Sequence, residues 1–163
     1  MSGHIPILEC STQVIGESKS KMIEKSGAGA LFVSAKTGQA LFCLRAPYKT
    51  HKLTWSLWGG MIEDGETPKE ALFRELEEEM GFVPNIEKIY PFDIYESKNK
   101  DFRYYTFIWI VDEEFIPELN KEAVGYAWVK LGVWPKPMHI GARNTLCSRK
   151  AEALLDIIIG QHR

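Results

Sequence analysis

The chain reads as an α/β (α+β) domain in which a mixed β-sheet lies between helices. Three observations predict this. Several short runs rich in β-branched and aromatic residues are bounded by turn residues, as strands are. A helix in the middle of the chain carries a full set of start and stop residues, and a second apolar-striped segment closes the chain. The 163 residues, 45% apolar and 26% charged, fit one globular domain over 1–163, within which 1–26 carries no clear pattern. Short strands with few long helices pack as a sheet covered by helices.

Residues 12–16 could form a short strand. GALFVSA (29–35) and ALFCLRA (40–46) read as strands joined by KTGQ, where Gly38 supplies the turn. PYKTHKL (47–53) is a loop with Lys49, His51 and Lys52, and TWSLW (54–58) is a short strand running into Gly59-Gly60. Thr67 is then a helix N-cap, Pro68 suits the first helical position and Glu70 completes a T-x-x-E capping box. Leu72, Leu76 and Met80 form an apolar stripe with Ala71, and Gly81 stops the helix, which is predicted over 68–80. IEKIYPFDIYE (86–96) and FRYYTFIWIVD (102–112) read as a hairpin around SKNKD, the second strand apolar on both faces and therefore central. AVGYAWVK (123–130) is a further strand, 131–144 a Pro/Gly loop, and 145–159 a helix carrying Leu154, Leu155 and Ile158.

Composition excludes several classes. A net charge of −2 argues against stable nucleic-acid binding, which usually takes a strongly basic surface. No apolar run approaches the ~18 residues of a membrane span, and the N-terminus lacks the pattern of a secretory signal. Cys10, Cys43 and Cys147 are odd in number and widely spaced, so buried free thiols in a reducing, cytoplasmic compartment are expected.

The stretch Gly59–Phe82, GGMIEDGETPKEALFRELEEEMGF, holds eight acidic residues against Lys69 and Arg74 alone. Glu75 lies three residues before Glu78 and four before Glu79, so the three carboxylates share one helix side beside the apolar stripe. Like charges at that spacing oppose helix formation by about 0.2–0.5 kcal/mol per pair, and more where water is excluded. Such a run can simply solvate a helix face. A divalent cation reverses the sign of the repulsion, and hard oxygen ligands suit Mg²⁺ or Mn²⁺. Arg74, four residues from both Glu70 and Glu78, could hold a carboxylate in place. An EF-hand calcium loop does not fit, because these acids lie on the helix rather than alternating in a loop before it.

The same residues spell the Nudix box, G-x5-E-x7-R-E-U-x-E-E-x-G-U with U a bulky apolar residue. Gly60, Glu66, Arg74, Glu75, Leu76, Glu78, Glu79, Gly81 and Phe82 fill all nine specified positions over 23 residues. The chain therefore resembles the MutT/Nudix hydrolase family over about 27–160, and the resemblance implies a Nudix-like α/β/α sandwich with a mixed β-sheet. It implies hydrolysis of a nucleoside diphosphate linked to another group X, with Mg²⁺ or Mn²⁺. Glu75, Glu78 and Glu79 match the family's metal ligands, joined by the backbone carbonyl of Gly60. Arg74 matches the residue that orients a box glutamate, and Glu66 a mainly structural one. Many members add a late-loop glutamate before a strand aromatic. Glu122, six residues before Trp128, is the favoured match as metal ligand or general base, with Glu118 as the alternative.

For substrate contacts, Arg45, Lys49 and Lys52 are candidates for phosphate, and Trp55, Tyr48 and Phe102 for a stacked base, each set against an ordinary surface or core role. His51 and His139 have no partner pattern and read as loop residues. Trp58 stands where the family often has proline and could reshape the mouth of the site. Lys98, Asn99 and Lys100 stand where substrate subfamilies carry a proline or tyrosine. The leading expectation is a (deoxy)nucleoside triphosphate cleaved to monophosphate and pyrophosphate. ADP-ribose or a nucleotide sugar is the alternative, and a catalytically silent Nudix binding module the second, although such modules lose box glutamates and none is missing here. The protein could pair as a homodimer.

Overall fold

The computed structural model describes residues 25–162. The expected strand at 12–16 and Cys10 lie outside them. The described residues form strands β1 (Lys25–Ser34), β2 (Gln39–Arg45), β3 (Trp55–Ser56), β4 (Trp58–Met61), β5 (Lys88–Glu96), β6 (Phe102–Val111) and β7 (Ala123–Lys130), with helices α1 (Pro68–Met80), α2 (Ile140–Leu146) and α3 (Arg149–Gly160).

The sheet is mixed. β1 pairs parallel with β6 along its whole length, Lys25 opposite Phe102 to Ser34 opposite Val111. The remaining pairs are antiparallel, with β5 on the far side of β6 and β7 on the far side of β2. The edge between β1 and β2 is split. β1 meets β2 only at Phe32 and Val33, then pairs with β4 from Gly27 to Ala30, while β2 pairs with β3 at Cys43 and Leu44. The expected single strand 54–58 is thus two short strands, each completing a different neighbour. The glycine pair lies inside β4.

Alternation along β1 and β6 gives two apolar layers. Ala28, Ala30, Phe32, Phe107, Trp109 and Val111 face α1, where Leu72, Leu76 and Met80 are fully buried. Burial of each such side chain stabilises the fold by roughly 1.5–3 kcal/mol. Leu31, Val33, Ile108 and Ile110 face α2 and α3, against Leu146, Leu155, Ile158 and Ile159. This is the expected α/β/α sandwich. β6 is covered on both faces, as its two apolar faces predict.

α1 spans the predicted 68–80. Thr67 accepts from the Glu70 N–H, Glu70 returns the bond to the Thr67 N–H, and Gly81 closes the helix in the left-handed region at φ 75°. The expected loop 131–144 is shorter than predicted. α2 begins at Ile140, capped by His139, and a break at Cys147-Ser148 separates it from α3, whose N-cap is Ser148. Cys43 is buried, but Cys147 is exposed, contrary to the expectation of buried thiols, because it sits at that break between helices.

Candidate active site

The split between β1 and β2 opens a cleft beside the C-terminal end of α1. Cys43 and Arg45 of β2, Lys49 of the following loop, Ser56 to Gly59 of the crossing segment, Glu79 of α1, and Asn120 and Glu122 of the late loop line it. A roomier open hollow of about 460 Å³ lies elsewhere, among Thr37, Gln39, Lys130 and Asp156, and shares no residue with the cleft.

The glycine pair lets the backbone and the helix approach closely. A Cβ on Gly59, where φ is +152°, would collide with the Ala28 carbonyl oxygen of β1, and one on Gly60 would collide with the Glu75 carboxylate. Glu79 is half-buried over the cleft, near the Gly59 backbone N–H. Burial, reinforced by the negative charges of Glu75 and Glu122, pushes its carboxyl up to about 8. Burial also raises Glu75, although Arg74 opposes the shift. Glu78 is exposed, its carboxylate 3.5 Å from the Arg74 guanidinium.

Arg74 does not reach Glu70, which caps the helix instead. It binds Glu66 through two bonds of 2.6 and 2.9 Å, Glu75 at 2.9 Å and the Met61 carbonyl at 2.9 Å. The guanidinium holds Glu66 down at about 2, and Glu66 in turn accepts from the Glu63 N–H. One arginine therefore fastens the loop before α1 to the helix and fixes the direction of Glu75.

Of the late-loop acids, Glu122 lines the cleft, while Glu118 is exposed beside Gly81 at the end of α1. Asn120 positions Glu122. Its amide donates to the Glu78 carbonyl at 3.2 Å, and its oxygen accepts from the Glu122 N–H at 2.8 Å. Lys49 pairs with Glu122 at 3.1 Å. Arg45 lines the cleft and donates to Thr50, pinning the loop that carries Lys49. Lys52 is exposed on that loop.

The aromatic candidates fall elsewhere. Trp55 packs against the apolar layer on the α2/α3 side and bridges to Met138. Tyr48 is exposed and Phe102 half-buried beside Tyr95 and Tyr104. Trp58, which could reshape the mouth, is among the residues lining the cleft but is 1% exposed and packs in the core under α1. Alternation turns its side chain inward.

Sequence reasoning missed several neighbours of the cleft. Cys43 Sγ lies 3.4 Å from Ser56 Oγ at the floor, and burial pushes the thiol up to about 12, so it is not a nucleophile at neutral pH. Tyr104 covers Gly27 and Gly29, and its phenol, raised chiefly by burial, feels Glu79. The only available signal was the pair of glycines in a strand, which marks a close approach. His139 and His51 stack edge-to-face at 4.8 Å. Burial, Arg45 and His51 hold His139 down at about 4.

The donor set suits a hard divalent cation. Half-buried carboxylates on Glu75, Glu79 and Glu122 crowd negative charge into low-dielectric surroundings, which a divalent ion offsets. Among the described residues, no three Asp, Glu, His or Cys side chains are gathered closely enough to hold one ion as they stand. Arg74 occupies Glu75 and Lys49 occupies Glu122.

Fold and box together define a Nudix-type α/β/α domain. The NUDIX domain family matches residues 24–148, and the chain belongs to that family. Sequence relatives include the 8-oxo-dGTP diphosphatase of Escherichia coli K12, 36% identical over 76 residues, which are 45% of this chain and 55% of that protein. The 8-oxo-dGTP diphosphatase of Proteus vulgaris is 48% identical over 42 residues, 25% of this chain and 38% of that protein. An RNA pyrophosphohydrolase of Aeromonas hydrophila is 39% identical over 54 residues, 33% of this chain and 29% of that protein. The chain thus spans about half or less of the length of these relatives. Among solved structures, a Nudix hydrolase from M. smegmatis, RenU, superposes with a TM-score of 0.66 at 23% identity, covering 82% of this chain and 88% of that one. A MutT NUDIX hydrolase from Burkholderia pseudomallei gives 0.60 at 21%, covering 77% and 97%. These likenesses show the fold.

Proposed function

We propose that the chain is a divalent-cation-dependent pyrophosphohydrolase that cleaves a nucleoside diphosphate linked to a further group, and that its substrate is a (deoxy)nucleoside triphosphate yielding monophosphate and pyrophosphate. The observation that carries this reading is the cleft itself, which gathers Glu79 and Glu122 with Lys49 and Arg45. Acids to hold a cation and bases to hold phosphates share one small space. The 8-oxo-dGTP diphosphatases among the relatives support a triphosphate, including an oxidised one.

A bound Mg²⁺ or Mn²⁺ would neutralise phosphate oxygens and make a coordinated water more acidic. Glu75, Glu78, Glu79, Glu122 and the Gly60 carbonyl are the residues that would hold it. Arg74 keeps the Glu75 carboxylate over Gly60 through their 2.9 Å bond. Glu122 takes the proton of the attacking water. The water oxygen bonds to phosphorus as the phosphorus–oxygen bond to pyrophosphate breaks, and pyrophosphate leaves with the electron pair. Lys49 and Arg45 hold the non-reacting phosphates, with Lys52 at the rim. Positioning and charge neutralisation carry catalysis of this kind more than covalent help does. In this reading the protein works in a reducing, cytoplasmic compartment, where its cysteines stay thiols.

The test is a substrate panel with Mg²⁺ and product identification: nucleoside triphosphates, 8-oxo-dGTP, ADP-ribose and triphosphorylated RNA. The expected result is the highest kcat/KM for a nucleoside triphosphate, with pyrophosphate released. A preference of about tenfold or more for ADP-ribose, about 1.4 kcal/mol in transition-state binding, overturns the triphosphate assignment.

A further inference from the structure

Lys49 and Glu122 are 73 positions apart, yet their backbones are tied together. The Ala46 N–H donates to the Glu122 carbonyl at 3.0 Å, and the Lys49 N–H donates to the Ala46 carbonyl at 3.1 Å. Arg45 pins the same loop through Thr50. On the other side, Asn120 fixes Glu122 to the end of α1. Both ends of the 3.1 Å ion pair are therefore anchored, while the four-carbon stem of lysine leaves the ammonium free to move without moving its loop.

The pair also closes an electrostatic account. Glu75, Glu79 and Glu122 repel one another. Arg74 answers the charge on one side, through Glu75, and Lys49 on the other, through Glu122. Arg74 has four further anchors, Glu63, Glu66, Glu78 and the Met61 carbonyl, and is built to stay. Among the described residues the Lys49 ammonium has a single partner, Glu122.

We propose that Lys49 is a resident counter-ion, holding Glu122 Oε1 until a divalent cation takes its place, and that the displaced ammonium then binds a substrate phosphate. This rests on the reading of Glu122 as a metal ligand. Lysine thus competes with the cation when no phosphate is present and assists the cation–substrate pair when it is. Binding free energies are reciprocal, so cation and phosphate strengthen each other through this one side chain.

The experiment is Mn²⁺ binding, followed by electron paramagnetic resonance and calorimetry without nucleotide, to wild type, Lys49→Met, Lys52→Met, Glu122→Gln and the double variant Lys49→Met/Glu122→Gln. Lys49→Met is expected to tighten Mn²⁺ by about three- to tenfold, as removal of a competing ion pair does, and to lose that effect in the Glu122→Gln background. Lys52→Met, the same charge change without the contact, is expected to alter Mn²⁺ affinity by less than about twofold. Equal tightening in both backgrounds means charge acting through space and overturns the exchange, as does an unchanged Kd for Lys49→Met. Glu122→Gln binding Mn²⁺ as tightly as wild type overturns instead the assignment of Glu122 as a ligand. Lys49→Gln, run in parallel with thermal melting of every variant, guards against a folding artefact in Lys49→Met.

Discussion

Arg74 grips Glu66 through two parallel bonds, Nε to Oε1 at 2.6 Å and Nη2 to Oε2 at 2.9 Å, while its third nitrogen, Nη1, reaches Glu75. The two ends of the box are thereby one unit. A lysine cannot reproduce this fork. Arg74→Lys should therefore leave the chain folded, with a lower melting temperature, and reduce kcat by about 10- to 100-fold through loss of the Glu75 direction. Steady-state kinetics beside a melting curve checks it. Unchanged kcat would mean that Glu75 needs no holding.

Glu79→Gln and Glu78→Gln should separate stability from turnover. Both are expected to cut kcat by about two or more orders of magnitude if each binds the cation. Only Glu79 is pressed against Glu75 and Glu122, so Glu79→Gln should also raise the cation-free melting temperature near pH 8. Glu78 is exposed, and its replacement should leave that temperature within about 2 °C. Differential scanning calorimetry in a chelator reads the difference.

The pH dependence of Glu79 has a definite sign. Its folded carboxyl is raised to about 8 from an ordinary 4.5, so between those values the folded state holds a proton that the unfolded state has lost. The contribution of this group to stability is then greatest below about pH 4.5 and declines as pH rises to about 8. A cation bound there needs the ionised form. Mn²⁺ binding at pH 7 should release a proton, and its affinity should climb with pH until about 8. Calorimetry in buffers of different ionisation enthalpy counts that proton. Binding without proton release would contradict the placement of the ion on Glu79.

Cation binding should also be visible in stability. An ion that binds only the folded state adds about 2.7 kcal/mol at a hundredfold excess over its Kd. Mg²⁺ or Mn²⁺ is expected to raise the melting temperature of wild type, and to raise that of Glu79→Gln less. An equal rise in both would place the ion elsewhere.

Gly60→Ala should fail locally and Gly59→Ala globally. The atoms nearest the new methyl of the first are the end of the Glu75 side chain, which can turn aside. The new methyl of the second meets the backbone of β1, which cannot. Gly60→Ala is expected to fold and lose activity, and Gly59→Ala to unfold at markedly lower temperature, as circular dichroism against temperature would record.

The parts of the fold legible in the sequence were those with local causes. α1 was read at both ends because Thr67, Pro68, Glu70 and Gly81 each act on their own neighbours. β7 was read for the same reason, between turn residues. α2 was missed because GARNTL has no apolar stripe. It is a single short element held by burial of Ala142 and Leu146. The division of TWSLW was missed because it depends on which strand edge each half finds. The box residues were visible as a pattern in one segment, whereas Asn120, and the contact of Lys49 with Glu122, join segments that only the folded chain brings together. Trp55 and Trp58 were ambiguous because an aromatic in a strand signals burial without saying which layer buries it.

Leu57 is the point at which the chain steps from one half of the sheet to the other, between β3 on β2 and β4 on β1. The helix acids and the glycine pair travel with β1. Arg45, Lys49 and Glu122 travel with β2 and its neighbour β7. The cleft is therefore assembled from two separately rooted walls, one carrying Glu79 and the other Arg45, Lys49 and Glu122. Changes in the loops of the second wall can therefore alter its basic side chains while the Arg74–Glu66–Glu75 cluster behind the first stays as it is, so the two walls can vary independently along different lengths of the same chain.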